Sequence, residues 1–137
     1  MIELILMLLI HGAKPVDAYA ATAIATCESG DTVTFGSHVW TARSHTNDGG
    51  AYQFNDATWE WIVGEGRGDT ASPSIQTGAF LELYDSGRGI GHWSASERCW
   101  RKWLTAEGLP TDNAHYSAFV GIYEYASKQV RKQEGAW

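Results

Sequence analysis

The chain has 137 residues, a length that suits one domain with a modest core. Its formal charge of −6 argues against nucleic acid as a partner, because phosphate binding needs an excess of Lys and Arg, and the only basic stretch is the short KQVRK near the end. Seven Trp and six Tyr are many for this length; they can fill a core or line a groove that stacks on flat ligands or sugar rings. Cys27 and Cys99 lie too far apart for a Cys-x-x-Cys metal site, and are either reduced core thiols or one long-range disulfide of an oxidising compartment.

The first ten residues, MIELILMLLI, are apolar. Ala18-Tyr19-Ala20 has the small-x-small form of a signal cleavage site, yet Glu3 stands where a basic residue is expected. The run is short for a membrane span, so residues 1–16 read as a cleaved signal, a membrane-contacting helix or a packed helix.

Asp17 is expected to cap a helix through AYAATAIAT to about Cys27, ended by Gly30. Residues 31–52 lack helical period; VTF and HVW read as short strands or extended loop, and NDGG at 47–50 as a turn. Asn55 or Asp56 caps a second helix with Trp59, Ile62 and Val63 on one face. The Arg67-Gly68-Asp69 tripeptide is discounted as a chance match to an adhesion motif. Ser72-Pro73 opens a third helix with Ile75, Ala79 and Leu83 as its inner stripe and Gly87 as its stop. Ser94-x-x-Glu97 reads as a capping box for a fourth, which carries Cys99, Trp100, Trp103 and Leu104 and stops at Gly108-Leu109-Pro110. A fifth follows Thr111 or Asp112, with Phe119, Ile122, Ala126 and Val130 inward. The expectation is a mainly α domain with a short extended or β region.

The run ATCESG raises the chemical question. A group that protonates a leaving glycosidic oxygen must still hold its proton near neutral pH, which requires apolar walls. Glu28 follows an apolar helix and precedes a Gly-bearing turn that lets a substrate approach.

CESG, then GGAYQFNDATW at 49–59, then GIGHW with a later cysteine at 89–99, occur in this order. Together they resemble the resuscitation-promoting-factor family of peptidoglycan-cleaving domains, over roughly residues 17–100. The resemblance implies a lysozyme-like, transglycosylase-like catalytic domain at 17–107, with 108–137 as a helical extension. It places Glu28 on the family's catalytic glutamate, Gln53 and Phe54 on its QF, and Thr58 and Trp59 on its TW. Asn55 falls where relatives carry a sugar-facing aspartate, Trp93 on the Trp near the second cysteine, and Arg88 on a polar cleft position. It also implies a Cys27–Cys99 disulfide holding the segment that bears Glu28. Trp40 lies in an insertion, longer than the family's usual stretch, that also carries His38 and His45. Gln53, Asn55, Thr58, Trp40, Trp59, Arg88 and Trp93 are therefore the candidate sugar contacts.

No metal or organic cofactor is implied. The expected substrate is the peptidoglycan glycan strand, and the expected location is the cell wall or a phage virion. Residues 1–10 could touch a membrane, and the C-terminal helix could attach to a virion or cell-wall protein. Asp31, Asp48 and Asp56 are candidates for a second carboxylate, each also a plausible turn or cap residue. A cysteine peptidase using Cys27 or Cys99 with His92 or His38 is an alternative, as is a zinc site from His38, His45 and Asp48; His11 and His115 read as surface or packing residues. The serious competitor is a non-catalytic binding or virion structural module.

Overall fold

The computed structural model describes residues 1–104 and 114–135. Helix α2, Pro15–Glu28, is the axis of the molecule, with every residue from Ala18 to Thr26 buried. Small Ala side chains let its neighbours approach on several sides: α1 (Ile2–Ile10), α5 (Glu97–Trp100) and α6 (Ala114–Gly135) all pack on it. Its buried threonine hydroxyls are satisfied within the helix, Thr22 donating to Ala18 O and Thr26 to Thr22 O. The helix starts before Asp17, because Pro15 has the backbone angle of a first helical residue and Lys14 takes the cap position.

The apolar N-terminal run is a helix whose Leu4, Ile5 and Leu8 are fully buried against the rest of the chain. Helix α6 packs on both α1 and α2, burying Phe119 and Ala126. Tyr123 at its side donates to Ala13 O at 2.5 Å. The expected stop at 108–110 and the cap at 111–112 lie outside the described residues. Among the described residues no helix is long and apolar enough to cross a membrane.

Among the described residues the ladder is two residues long and antiparallel, β1 (Asp48–Gly49) against β2 (Phe54–Asn55), with Asp48 opposite Asn55 and an isolated bridge from Arg43 to Gly49. The expected turn at 47–50 is corrected: its centre is strand, and the chain turns at 50–53. VTF and HVW are not strands. They lie in a loop folded by side-chain bonds to the backbone, which no two-residue alternation reports. Asp31 accepts from the amides of Val33 and Thr34, Thr26 Oγ1 from Gly36 N, and Ser29 Oγ from Val39 N. The loop returns so close to Gly30 that a Cβ there would sit 2.2 Å from Ser37 O.

Asn55 caps α3 (Asp56–Ile62) by accepting from Thr58 N, and Ser72 caps α4 (Pro73–Tyr84) by accepting from Ile75 N. The inner face of α4 is displaced by one residue from the expected stripe. Ile75 is half exposed, whereas Gln76, Thr77, Phe80 and Tyr84 are buried beside Ala79 and Leu83. The helix ends at Asp85 in a left-handed conformation rather than at Gly87. Residues 85–96 form two 3-10 turns, and Ser94 lies inside the second, so Ser96 precedes α5 and no capping box forms. The chain is thus a mainly helical small domain with one two-stranded hairpin among the described residues and one disulfide.

Candidate active site

Glu28 is the last residue of α2. The helix stops there because the amides of Ser29 and Gly30 both turn back to Ala25 O. The half-buried side chain accepts a hydrogen bond from Ser96 Oγ at 2.7 Å. Burial pushes its pKa up from an ordinary 4.5 to about 6; the Ser96 hydroxyl opposes this and the negative charge of Asp48 adds to it. The negative end of the α2 dipole acts in the same direction as burial, since it disfavours an anion at a helix C-terminus. The result is a carboxyl that keeps part of its proton near neutral pH.

Cys27 and Cys99 form a disulfide, with Cα atoms 5.7 Å apart. It joins the last turn of α2 to α5, one residue from Glu28 on one side and three from Ser96 on the other. Both ends of the Glu28–Ser96 hydrogen bond are therefore anchored by the same covalent link. Neither sulfur is a free thiol, which removes the cysteine-nucleophile alternative. A disulfide of this kind belongs to an oxidising environment. Among the described residues no group of three His, Cys, Asp or Glu is placed to hold a metal ion.

The candidate second carboxylates separate clearly. Hydrogen bonds from Thr34 and Val33 hold the Asp31 carboxyl well below the usual range, and it serves as a turn acceptor. Asp56 is lowered by the two-pronged Arg43 guanidinium, at 2.8 Å on each oxygen. Asp48 accepts from Thr46 Oγ1 at 2.8 Å and is the one of the three whose charge reaches Glu28.

Two contacts relate Glu28 to a nearby cleft: Asp48, whose charge reaches Glu28, is opposite Asn55 in the hairpin, and Ser96 also donates to Trp93 O at 3.2 Å. Gln53, Phe54, Asn55, Thr58, Leu83, His92 and Trp93 line a small cleft between the hairpin and the 90–96 turn. It shares Leu83 and His92 with a wider cavity of about 390 Å³ that includes Trp61, Ile62, Asp85 and Arg88.

Of the expected sugar contacts, Gln53, Asn55, Thr58 and Trp93 line the cleft, and Arg88 lines the cavity. Gln53 is also structural: it adopts a left-handed backbone and its amide donates to Gly50 O at 2.9 Å. Trp93 is nearly buried, its indole donating to Tyr52 O, so it floors the cleft. Arg88 is held by Asp85 through two bonds of 2.7 and 2.8 Å. Two expectations are corrected. Trp59 has no exposed surface and donates to Glu65 O, which makes it a core residue. The polar edge of Trp40 is occupied by Glu3 of α1, and its ring lies edge-on to His38 and Tyr52, so it ties the loop to the N-terminal helix.

Ser96, bonded to Glu28, and Trp61, on the cavity wall, are not among the expected contacts. Nothing in the local pattern marks Ser96, whose partner is 68 residues away. Trp61 could have been found: two residues after the buried Trp59 on one helix, it must point nearly the opposite way, and it is 76% exposed. The Arg67-Gly68-Asp69 tripeptide is folded inward, Asp69 bonding both Arg67 and Arg43.

No protein-family model, no curated protein and no solved structure matches this chain.

Proposed function

We propose that this protein cleaves the β-1,4 bond between N-acetylmuramic acid and N-acetylglucosamine in peptidoglycan, with Glu28 as general acid. The observation that carries the reading is a half-buried glutamate, held by a neutral hydroxyl donor, whose pKa is raised to about 6. Ser96 occupies Oε1, which leaves Oε2 to carry the transferable proton. That proton passes to the leaving glycosidic oxygen as the C1–O bond breaks, and Glu28 becomes a carboxylate.

The carboxylate then takes a proton from the group that attacks C1. If that group is the muramic 6-hydroxyl, the product is an anhydro sugar, as in a lytic transglycosylase; if it is water, the product has a reducing end, as in a muramidase. The ordered motifs around Glu28, Gln53–Trp59 and Trp93 resemble the resuscitation-promoting-factor family and support this substrate. The disulfide is in keeping with action outside the reducing cytoplasm, at a cell wall or on a virion.

Mass spectrometry of purified peptidoglycan after incubation tests the proposal. New anhydro-muramic or reducing ends support it and distinguish the two reactions. Intact glycan recovered with the protein bound, and no new ends, sinks it in favour of a binding module.

A further inference from the structure

The wide cavity that adjoins the cleft is not lined by Glu28 and has its own chemistry. Its walls are Trp61, Ile62 and Leu83 on the apolar side and Glu82, Asp85 and Arg88 on the polar side. At about 390 Å³ it falls in the ordinary size range of small-ligand sites. We infer that this cavity is a separate saccharide-binding subsite for a neutral N-acetylhexosamine unit of the same glycan, with the Trp61 indole as its stacking platform. The inference rests on the reading that the cleft takes a glycan.

Three observations carry it. First, the cavity adjoins the small cleft, sharing Leu83 and His92 with it, so a ligand in the cavity meets the expected contacts of the cleft at its rim. Second, Trp61 is 76% exposed on a helix whose other face is fully served by Trp59. The fold does not need that indole, and a flat indole face matches the C–H face of a pyranose ring. Third, Arg88 and Asp85 hold each other in a two-pronged pair. This fixes polar atoms at the cavity wall where ring hydroxyls and an acetamido group need partners, at little cost in side-chain ordering.

The charges select among ligands. Two carboxylates, Glu82 and Asp85, stand against one guanidinium, Arg88, so the cavity is net acidic and disfavours an anionic stem peptide.

The test separates this subsite from the proposed turnover. Neutral β-1,4-linked N-acetylglucosamine oligomers of increasing length are titrated by calorimetry into Glu28→Gln and into Glu28→Gln/Trp61→Ala. The expected result is affinity that grows with length, and a loss of about tenfold for the longest oligomer, but not the dimer, on removing Trp61. Trp61 is a surface residue, so a correctly folded variant is expected, and circular dichroism verifies it. Equal affinity of the two proteins for the longest oligomer, or no binding of neutral oligomers by either, overturns the inference. The turnover reading has its own readout: peptidoglycan cleavage by the parent with no Trp61 effect on binding would leave Glu28 in place and remove only the subsite. Trp61-dependent binding without any cleavage by the parent would do the reverse.

Discussion

Ser96 Oγ donates a hydrogen bond to Glu28 Oε1 at 2.7 Å, across 68 residues of sequence. The hydroxyl favours the carboxylate form, while burial and the charge of Asp48 favour the acid. Glu28 therefore sits at a balance of opposed effects, and each can be removed separately.

Removing Ser96 as Ser96→Ala should raise the Glu28 pKa above about 6, and Asp48→Asn should lower it. The alkaline limb of any activity profile should move with it, to higher pH in the first variant and lower in the second. Carbon NMR titration of the Glu28 carboxyl reads both. Shifts in the same direction, or no shift in either, would contradict this electrostatic description.

The same pKa sets a stability profile. The folded value of about 6 is above the ordinary 4.5, so the protonated form is favoured by the fold. The contribution is fully present below 4.5 and is lost as pH rises through about 6, an amount on the order of 2 kcal/mol. Glu28→Gln cannot ionise and should escape the loss. It should be more stable than the parent at about pH 8 and not at about pH 4, measured by urea unfolding at each pH. An equal difference at both would mean the effect is packing and not ionisation.

The Cys27–Cys99 bond closes a loop across a separation of 72 residues, for which chain entropy gives about 4 kcal/mol of stabilisation. Because the bond also brackets Glu28 and Ser96, the Cys27→Ser/Cys99→Ser variant should lose stability and have an altered Glu28 titration. Denaturant melts and the carboxyl NMR signal check the two together. A variant that melts like the parent would show that the helices alone hold the site.

Much of the fold is legible where one residue type does one local job. Asn55 and Ser72 cap their helices as side-chain oxygens before helical runs do, whereas the Gly-rich stretch at 47–50 enters the ladder as β1 and the chain turns at 50–53. What escapes a linear reading depends on partners distant in sequence. Gln76 looks like an unremarkable polar residue beside Ile75. In the structure it is fully buried, accepting from Ala51 N and donating to Trp40 O and Ala71 O, so it pins hairpin, loop and helix together. That is why the inner face of α4 is displaced and why Trp40 is not free to meet a ligand by its backbone. The loop at 31–39 escaped for a related reason, since side-chain acceptors and not alternating hydrophobicity shape it. At the site, Glu28 stood out by its apolar approach and its cysteine neighbour, whereas Ser96 and the influence of Asp48 emerge only once α5 and the hairpin close around it.

The most direct test of Glu28 as the general acid is digestion of purified peptidoglycan by the parent and by Glu28→Gln, with released fragments counted by mass spectrometry. The amide keeps the shape and can still accept from Ser96, but it has no proton to give. If Glu28 is the general acid, the parent releases fragments with new glycan ends, the variant at least about a hundredfold fewer, and both retain glycan binding. Release by Glu28→Gln at near the parental rate would contradict it.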